Sequence, residues 1–169
     1  MSKKEARAAR KLRKIAERDA NSARLKTEPI AREVRIGANP GSIFQMQMSW
    51  AADEADRDGA WSWGVARDWG DDVWGANLLP KLTEFAKLTW AEIEGQTHGN
   101  EGKRHRSHHS MSTDAVCEEA QDRLASLEQY ADILFRFRLG NLPRLWGIRV
   151  VEKFKILWYD PSHRVYPVE

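Results

Sequence analysis

The chain has 169 residues, of which 41% are hydrophobic and 31% charged, with a formal net charge of +2; this is enough for one ordinary domain with a real core plus an arm. No stretch approaches the run of roughly 18 apolar residues that spans a bilayer, and charges stand where a signal peptide needs an apolar segment. Cys117 is the one cysteine, which excludes an intramolecular disulfide and a paired-cysteine zinc knuckle, so composition predicts a cytoplasmic protein without a membrane segment.

Charge is spread unevenly along the chain. Residues 1–26 carry ten Lys/Arg against three acids, an excess that attracts polyanions. Leu12, Ile15, Ala16, Ala20 and Ala23 lay a thin apolar stripe on a segment rich in helix formers. Two readings stand for this arm: a solvated basic tail, or a helix that docks on a partner or on nucleic acid. Thr27, Pro29, Gly37, Asn39, Pro40 and Gly41 then punctuate the chain. Residues 1–42 are therefore expected to form a basic helical arm and linker, and residues 43–169 an α+β domain.

Phe44, Met46, Met48 and Trp50 alternate with polar residues, which predicts a strand over 43–50 with one face buried. The insert 51–75 follows. From Ala51 to Asp72 seven acids face only Arg57 and Arg67, and Trp61, Trp63, Trp69 and Trp74 lie among glycines. Tryptophans at this density either stack bases, fill a ligand slot or cover one end of the core. Asp53, Asp56 and Asp58 lack the spacing of a calcium loop.

Leu78, Leu79, Leu82, Phe85 and Ala86 recur at helical spacing, and Thr89 to Glu92 has the pattern of a capping box that starts a further short helix. Residues 95–112, rich in Gly and His, read as an exposed loop whose Lys103, Arg104 and Arg106 can meet phosphate. His105, His108, His109 and Cys117 are zinc-ligand types, but their spacing fits no defined motif, and no metal or cofactor is predicted. Cys117 falls instead on the apolar stripe Val116, Cys117, Ala120, Leu124 and Leu127 of a helix capped by Ser112 or Thr113.

The remainder reads as a meander of three to four strands, giving a helix layer packed on an antiparallel sheet. Phe135 and Phe137 alternate with Arg136 and Arg138; Trp146 and Ile148 alternate with Leu145 and Arg149; Phe154, Ile156 and Trp158 alternate with Lys155, Leu157 and Tyr159. A last short strand is expected at Arg164–Tyr166. With the apolar sets facing the helices, Arg136, Arg138, Arg149, Lys155 and Tyr159 converge on the open face, with Arg144 at the start of the second strand as a further contact. Guanidinium forks chelate phosphate oxygens, so this face suits nucleic acid; the plainer alternative is a row of arginines that keeps an exposed sheet soluble.

The order strand, helices, meander, with LFRFRLG, RLWGIRVVEK, FKILWYD and a closing HRVYP, resembles the RelE/ParE superfamily of bacterial toxins. The resemblance implies a RelE-like fold and a metal-independent endoribonuclease acting on messenger RNA, in some members on the ribosome, within a toxin–antitoxin or mobile-element system. It implies that Arg136, Arg138 and Arg149 stabilise the phosphorane while Tyr159, His163 or Tyr166 transfers protons, and that RNA and an antitoxin are partners. The insert 51–75, the loop 95–112 and the arm are additions to the short family members. The gyrase-directed branch of the same fold lacks nuclease residues, so a non-catalytic nucleic-acid- or protein-binding regulator using the basic arm is the alternative, followed by a tryptophan-lined small-ligand pocket.

Overall fold

The computed structural model describes residues 12–14, 16, 42–62, 67, 69–99 and 103–167. The chain divides into two units, Met1–Ala38 and Asn39–Glu169. Of the first, the described residues Leu12–Lys14 and Ala16 are helical; the rest of the predicted arm and linker lies outside the described residues up to Ser42. Among the described residues no helix is long and apolar enough to cross a membrane.

The second unit is α+β. A five-stranded sheet runs in the order β1–β7–β6–β5–β4, with β1 at Ser49–Ala51, β4 at His109–Ser112, β5 at Ile133–Arg138, β6 at Arg144–Val150 and β7 at Lys153–Asp160. The meander β5–β6–β7 lies where the alternation places it. The sheet is mixed rather than antiparallel throughout, because β1 pairs parallel to β7. Strands β2 (Thr97–His98) and β3 (His105–Arg106) form a separate hairpin. The helices are α1 (Leu79–Phe85), entered through a π-helical turn at Val73–Leu78, α2 (Trp90–Gly95) and α3 (Glu118–Ser126).

Both faces of the sheet are packed. On the first, Leu78, Leu82, Phe85, Trp90 and Ile93 lie against Phe135, Phe137, Leu145, Phe154, Ile156 and Tyr159. On the second, Val116, Ala120 and Leu124 lie with Trp61 and Val165 against Leu134, Trp146, Leu157 and Trp158. Strands β6 and β7 therefore carry apolar residues on both faces rather than in strict alternation. The expected open face is thus largely covered. Trp61 and Trp69 are both buried in these cores, so the insert covers the sheet. Asp56 anchors it: its carboxylate accepts from Arg123 Nε (2.9 Å) and Nη2 (2.6 Å) and from Trp158 Nε1 (3.0 Å).

Several expectations are corrected. The predicted strand 43–50 shrinks to β1, preceded by a 3-10 turn at Ile43–Gln45. The parallel partner begins only at Lys153, opposite Ser49; upstream, the backbone bonds instead to the segment between α1 and α2, through Met48 N to Leu88 O (2.9 Å) and Trp90 N to Met46 O (3.1 Å). The capping box is present, with Thr89 N donating to Glu92 Oε2 (2.8 Å) and Glu92 N to Thr89 Oγ1 (3.3 Å). The loop 95–112 is not exposed throughout: it supplies the hairpin and edge strand β4, and buries Ser107 and His108. Ser112 caps a 3-10 turn, and α3 begins later, at Glu118. No strand forms at Arg164–Tyr166, which bends after a turn at Pro161 and Ser162, because the Asp160 carboxylate accepts from Ser162 N (3.2 Å), Arg164 N (3.0 Å) and Val165 N (2.9 Å), taking donors that a ladder needs.

One register shift decides which side chains meet. Between Trp146 and Gly147 the β6–β7 pairing slips, so Trp146 faces Trp158 while Gly147 faces Ile156. A Cβ on Gly147 would clash with Lys155 O and stand 2.6 Å from the Phe154 ring. Gly147→Ala is predicted to lower the urea midpoint by the equivalent of about 1–3 kcal/mol through overpacking against backbone. Gly75→Ala, whose Cβ meets nothing within 4 Å, is predicted not to.

Candidate functional site

At one end of the second face the apolar packing gives way to cations. Alternation along β5 places Arg136 and Arg138 on the same side as Leu134. The register sets Arg138 opposite Arg144, Arg144 opposite Asp160, and His109 opposite Arg136. Four adjacent strands thus contribute to one cluster. His163 joins it from the turn after β7, in the left-handed region at φ 57°, a conformation uncommon for a non-glycine residue and frequent at functional positions.

Arg136, 8% exposed, is the hub. Its Nη2 donates to His109 Nε2 (2.7 Å) and its Nη1 to His163 Nε2 (3.3 Å). A guanidinium can only donate, so this network assigns both imidazoles a lone pair on Nε2 and the proton on Nδ1; in His109 that Nδ1–H faces Ser110 O at 3.3 Å. Burial first, then the charges of nearby arginines, hold both histidines below the usual imidazole pKa. Both rings are half-buried and neutral at pH 7.

Arg144 is 6% exposed. Its Nη1 donates to the carbonyls of Gly140 (3.2 Å), Asn141 (3.1 Å) and Pro143 (3.0 Å), while Arg138 Nε donates to Gly140 O (2.9 Å). Burial and then repulsion from Arg136 and Arg138 bring Arg144 down to about 10. Among the described residues none of the three arginines makes a salt bridge, and Nε of Arg136 and of Arg144 is buried without a hydrogen-bond partner. The facing carboxylate, Asp160, is fully buried and accepts from three backbone amides. A cavity of about 430 Å³ opens onto the cluster, lined by Arg138, Asn141, Leu142, Arg144, Ser162 and His163. Such an arrangement is chemically suited to an anion that brings its own charge and acceptor oxygens.

The other predicted site residues lie elsewhere. Arg149 is on the first face, paired with Glu94 (2.6 Å) and stacked 4.1 Å from the Trp90 ring centre. Tyr159 is buried in the first core against Trp69, and burial raises its pKa. Lys155 pairs with Glu54 at the β1 side. The expected convergence of five residues therefore splits, because pairing Phe137 with Leu145 carries Arg149 to the Phe135–Phe137 side and the shift at Gly147 turns Tyr159 inward. Tyr166 is half-buried beside the second core. Lys103, Arg104 and Arg106 are exposed, with Arg106 at 4.0 Å from Glu94. His109 was foreseen only as a metal or loop residue; the signal for it is the edge-strand spacing of His109 and Met111, too short and polar to declare itself. The zinc set does not assemble: among the described residues no group of three or more His, Cys, Asp or Glu is arranged to hold a metal.

No family model, curated protein or solved structure matches the chain.

His108 supports the cluster from beneath. It is 2% exposed, its Nδ1 accepting from Arg138 N (3.0 Å) and its Nε2 donating to Gln96 Oε1 (3.0 Å). Burial, then the Arg136 charge, hold it at about 4. An unfolded histidine titrates near 6.5, so the unfolded chain binds this proton first and stability, complete above that value, falls as pH drops toward 4. Between about pH 7 and pH 5 this site alone is predicted to remove roughly 2 kcal/mol. Urea unfolding of His108→Phe should show a correspondingly shallower pH dependence than the wild type.

Proposed function

We propose that the Arg136–Arg138–Arg144 cluster grips the phosphate of an RNA strand, and that His109 and His163 act on it as the proton-transfer pair of a metal-independent endoribonuclease. The observation that carries this reading is one buried guanidinium donating to two neutral imidazoles beside two further arginines that lack salt bridges among the described residues. It accords with the RelE/ParE-like reading of the sequence, under which the substrate is messenger RNA, on or off the ribosome, and an antitoxin is the protein partner.

The chemistry follows from the groups present. An incoming phosphate competes for the donors that Arg136 gives to the imidazoles, so guanidinium hydrogen bonds pass to phosphate oxygens and both Nε2 lone pairs are released next to the anion. The negative charge then favours protonation of one ring. The neutral imidazole takes the proton from the ribose 2′-OH as the O2′–P bond forms, the arginines stabilise the charge building on the phosphoryl oxygens, and the imidazolium protonates the departing 5′-oxygen as the P–O5′ bond breaks. The products are a 2′,3′-cyclic phosphate and a 5′-hydroxyl.

The test is cleavage of end-labelled messenger RNA by the purified protein in EDTA, with and without ribosomes, followed by analysis of the new ends. Wild type is expected to leave cyclic-phosphate ends, His109→Ala and His163→Ala to lose about 10²–10⁴-fold in rate, and Arg149→Gln, on the other face, to cleave like wild type. Intact RNA in every condition, or cleavage that survives both histidine substitutions, would contradict the nuclease reading.

A further inference from the structure

Arg138 lines two cavities. Besides the one at Arg144 and His163, a second of about 550 Å³ lies between α1, the β2–β3 hairpin and the end of β5. Phe85, Leu88 and Leu139 give it an apolar wall, while His98 and Ser107 give it a polar one. Ser107 Oγ and His98 Nδ1 lie 3.4 Å apart. Burial and then the nearby arginine charge keep His98 below the usual imidazole pKa, so the ring offers one donor and one acceptor rather than a charge.

We propose that this second cavity is a nucleobase subsite, taking the unpaired base of the nucleotide whose phosphate lies on Arg138 and Arg144. The inference rests on the phosphate reading of the arginine cluster and extends it from the backbone to the base. A base has apolar faces and a hydrogen-bonding edge, which match the two kinds of wall. The volume is in the range of small-ligand pockets. Position supplies the link: because Arg138 borders both cavities, phosphate on one side of it and base on the other need no intervening contact. Charge points the same way, since Lys81 and Lys87 also line the cavity and, among the described residues that line it, the one carboxylate, Glu84, is held by Lys87 at 2.7 Å. A base inside a duplex cannot enter such a cavity, so the substrate it selects is a single strand.

Fluorescence anisotropy of the full chain with a labelled single-stranded RNA hexamer, made uncleavable by 2′-O-methylation, tests this against the same strand with central abasic positions and against its duplex. Abasic and duplex forms are expected to bind about tenfold more weakly. Leu88→Trp, which fills the cavity, should abolish the difference between intact and abasic strands; if that variant lacks the wild-type far-UV dichroism, Leu88→Ala should still narrow it. Arg144→Ala should weaken both strands. Equal binding of intact and abasic strands, with both weakened by Arg144→Ala, would overturn the base subsite and leave the phosphate site standing. Indifference of both strands to Arg144→Ala would overturn the phosphate reading and the subsite with it.

Discussion

Arg136 and Arg144 are buried on one face of a sheet with no carboxylate in salt-bridge contact among the described residues, and much else in the domain is arranged around that cost. Removing a guanidinium from water is unfavourable unless its donors and its charge are met. Here the donors are met in part by uncharged acceptors: three carbonyls of the 140–143 turn for Arg144, two imidazoles for Arg136. The charge is met only in part: Asp160, whose oxygens accept from backbone amides, attracts both arginines without a salt bridge to either among the described residues. The fall of Arg144 to about 10 registers this imbalance. An anion bound at the cluster would relieve it by supplying both charge and acceptor oxygens.

The location of the cluster follows from packing. Both faces of the sheet are covered, so a charged site can exist only where one cover ends. On the second face α3 and Trp61 fill the middle, and the cover stops at the rows of Arg136 and Arg144. The turn after β7 closes that end: Val165 O accepts from Cys117 N at 2.8 Å, joining it to the start of α3, while the Asp160 carboxylate folds the intervening residues so that His163 adopts its left-handed conformation and reaches Arg136. Fold and site thus share the same bonds, and His108 ties the backbone of Arg138 to the hairpin that walls the second cavity.

Much of this was legible from the residues. The meander, the capping box at Thr89 and Glu92, the apolar stripe of α3 and the shared side of Arg136 and Arg138 follow from local periodicity and capping chemistry, which are properties of a few neighbouring residues. What was not legible depends on pairing between distant ones. With both faces apolar, nothing in RLWGIRV says which alternate set faces α1 and α2; the register with β5 does, and it moved Arg149 to the opposite side. The shift at Gly147, the parallel addition of three-residue β1 and the edge strand β4 are likewise set by partners far away in the chain. His109 entered the site by that route.

The central claim is that the imidazoles of His109 and His163, held neutral by burial and the neighbouring arginines, accept from Arg136 and are handed to an anion when it binds. Long-range ¹H–¹⁵N spectra of the histidine rings, recorded near pH 7 while titrating the uncleavable RNA hexamer, test it directly. The account predicts two rings in the Nδ1–H tautomer that move toward imidazolium as RNA is added, while His108 keeps its Nε2–H form. Rings of His109 and His163 that are charged from the start, or that do not respond to RNA, would contradict it.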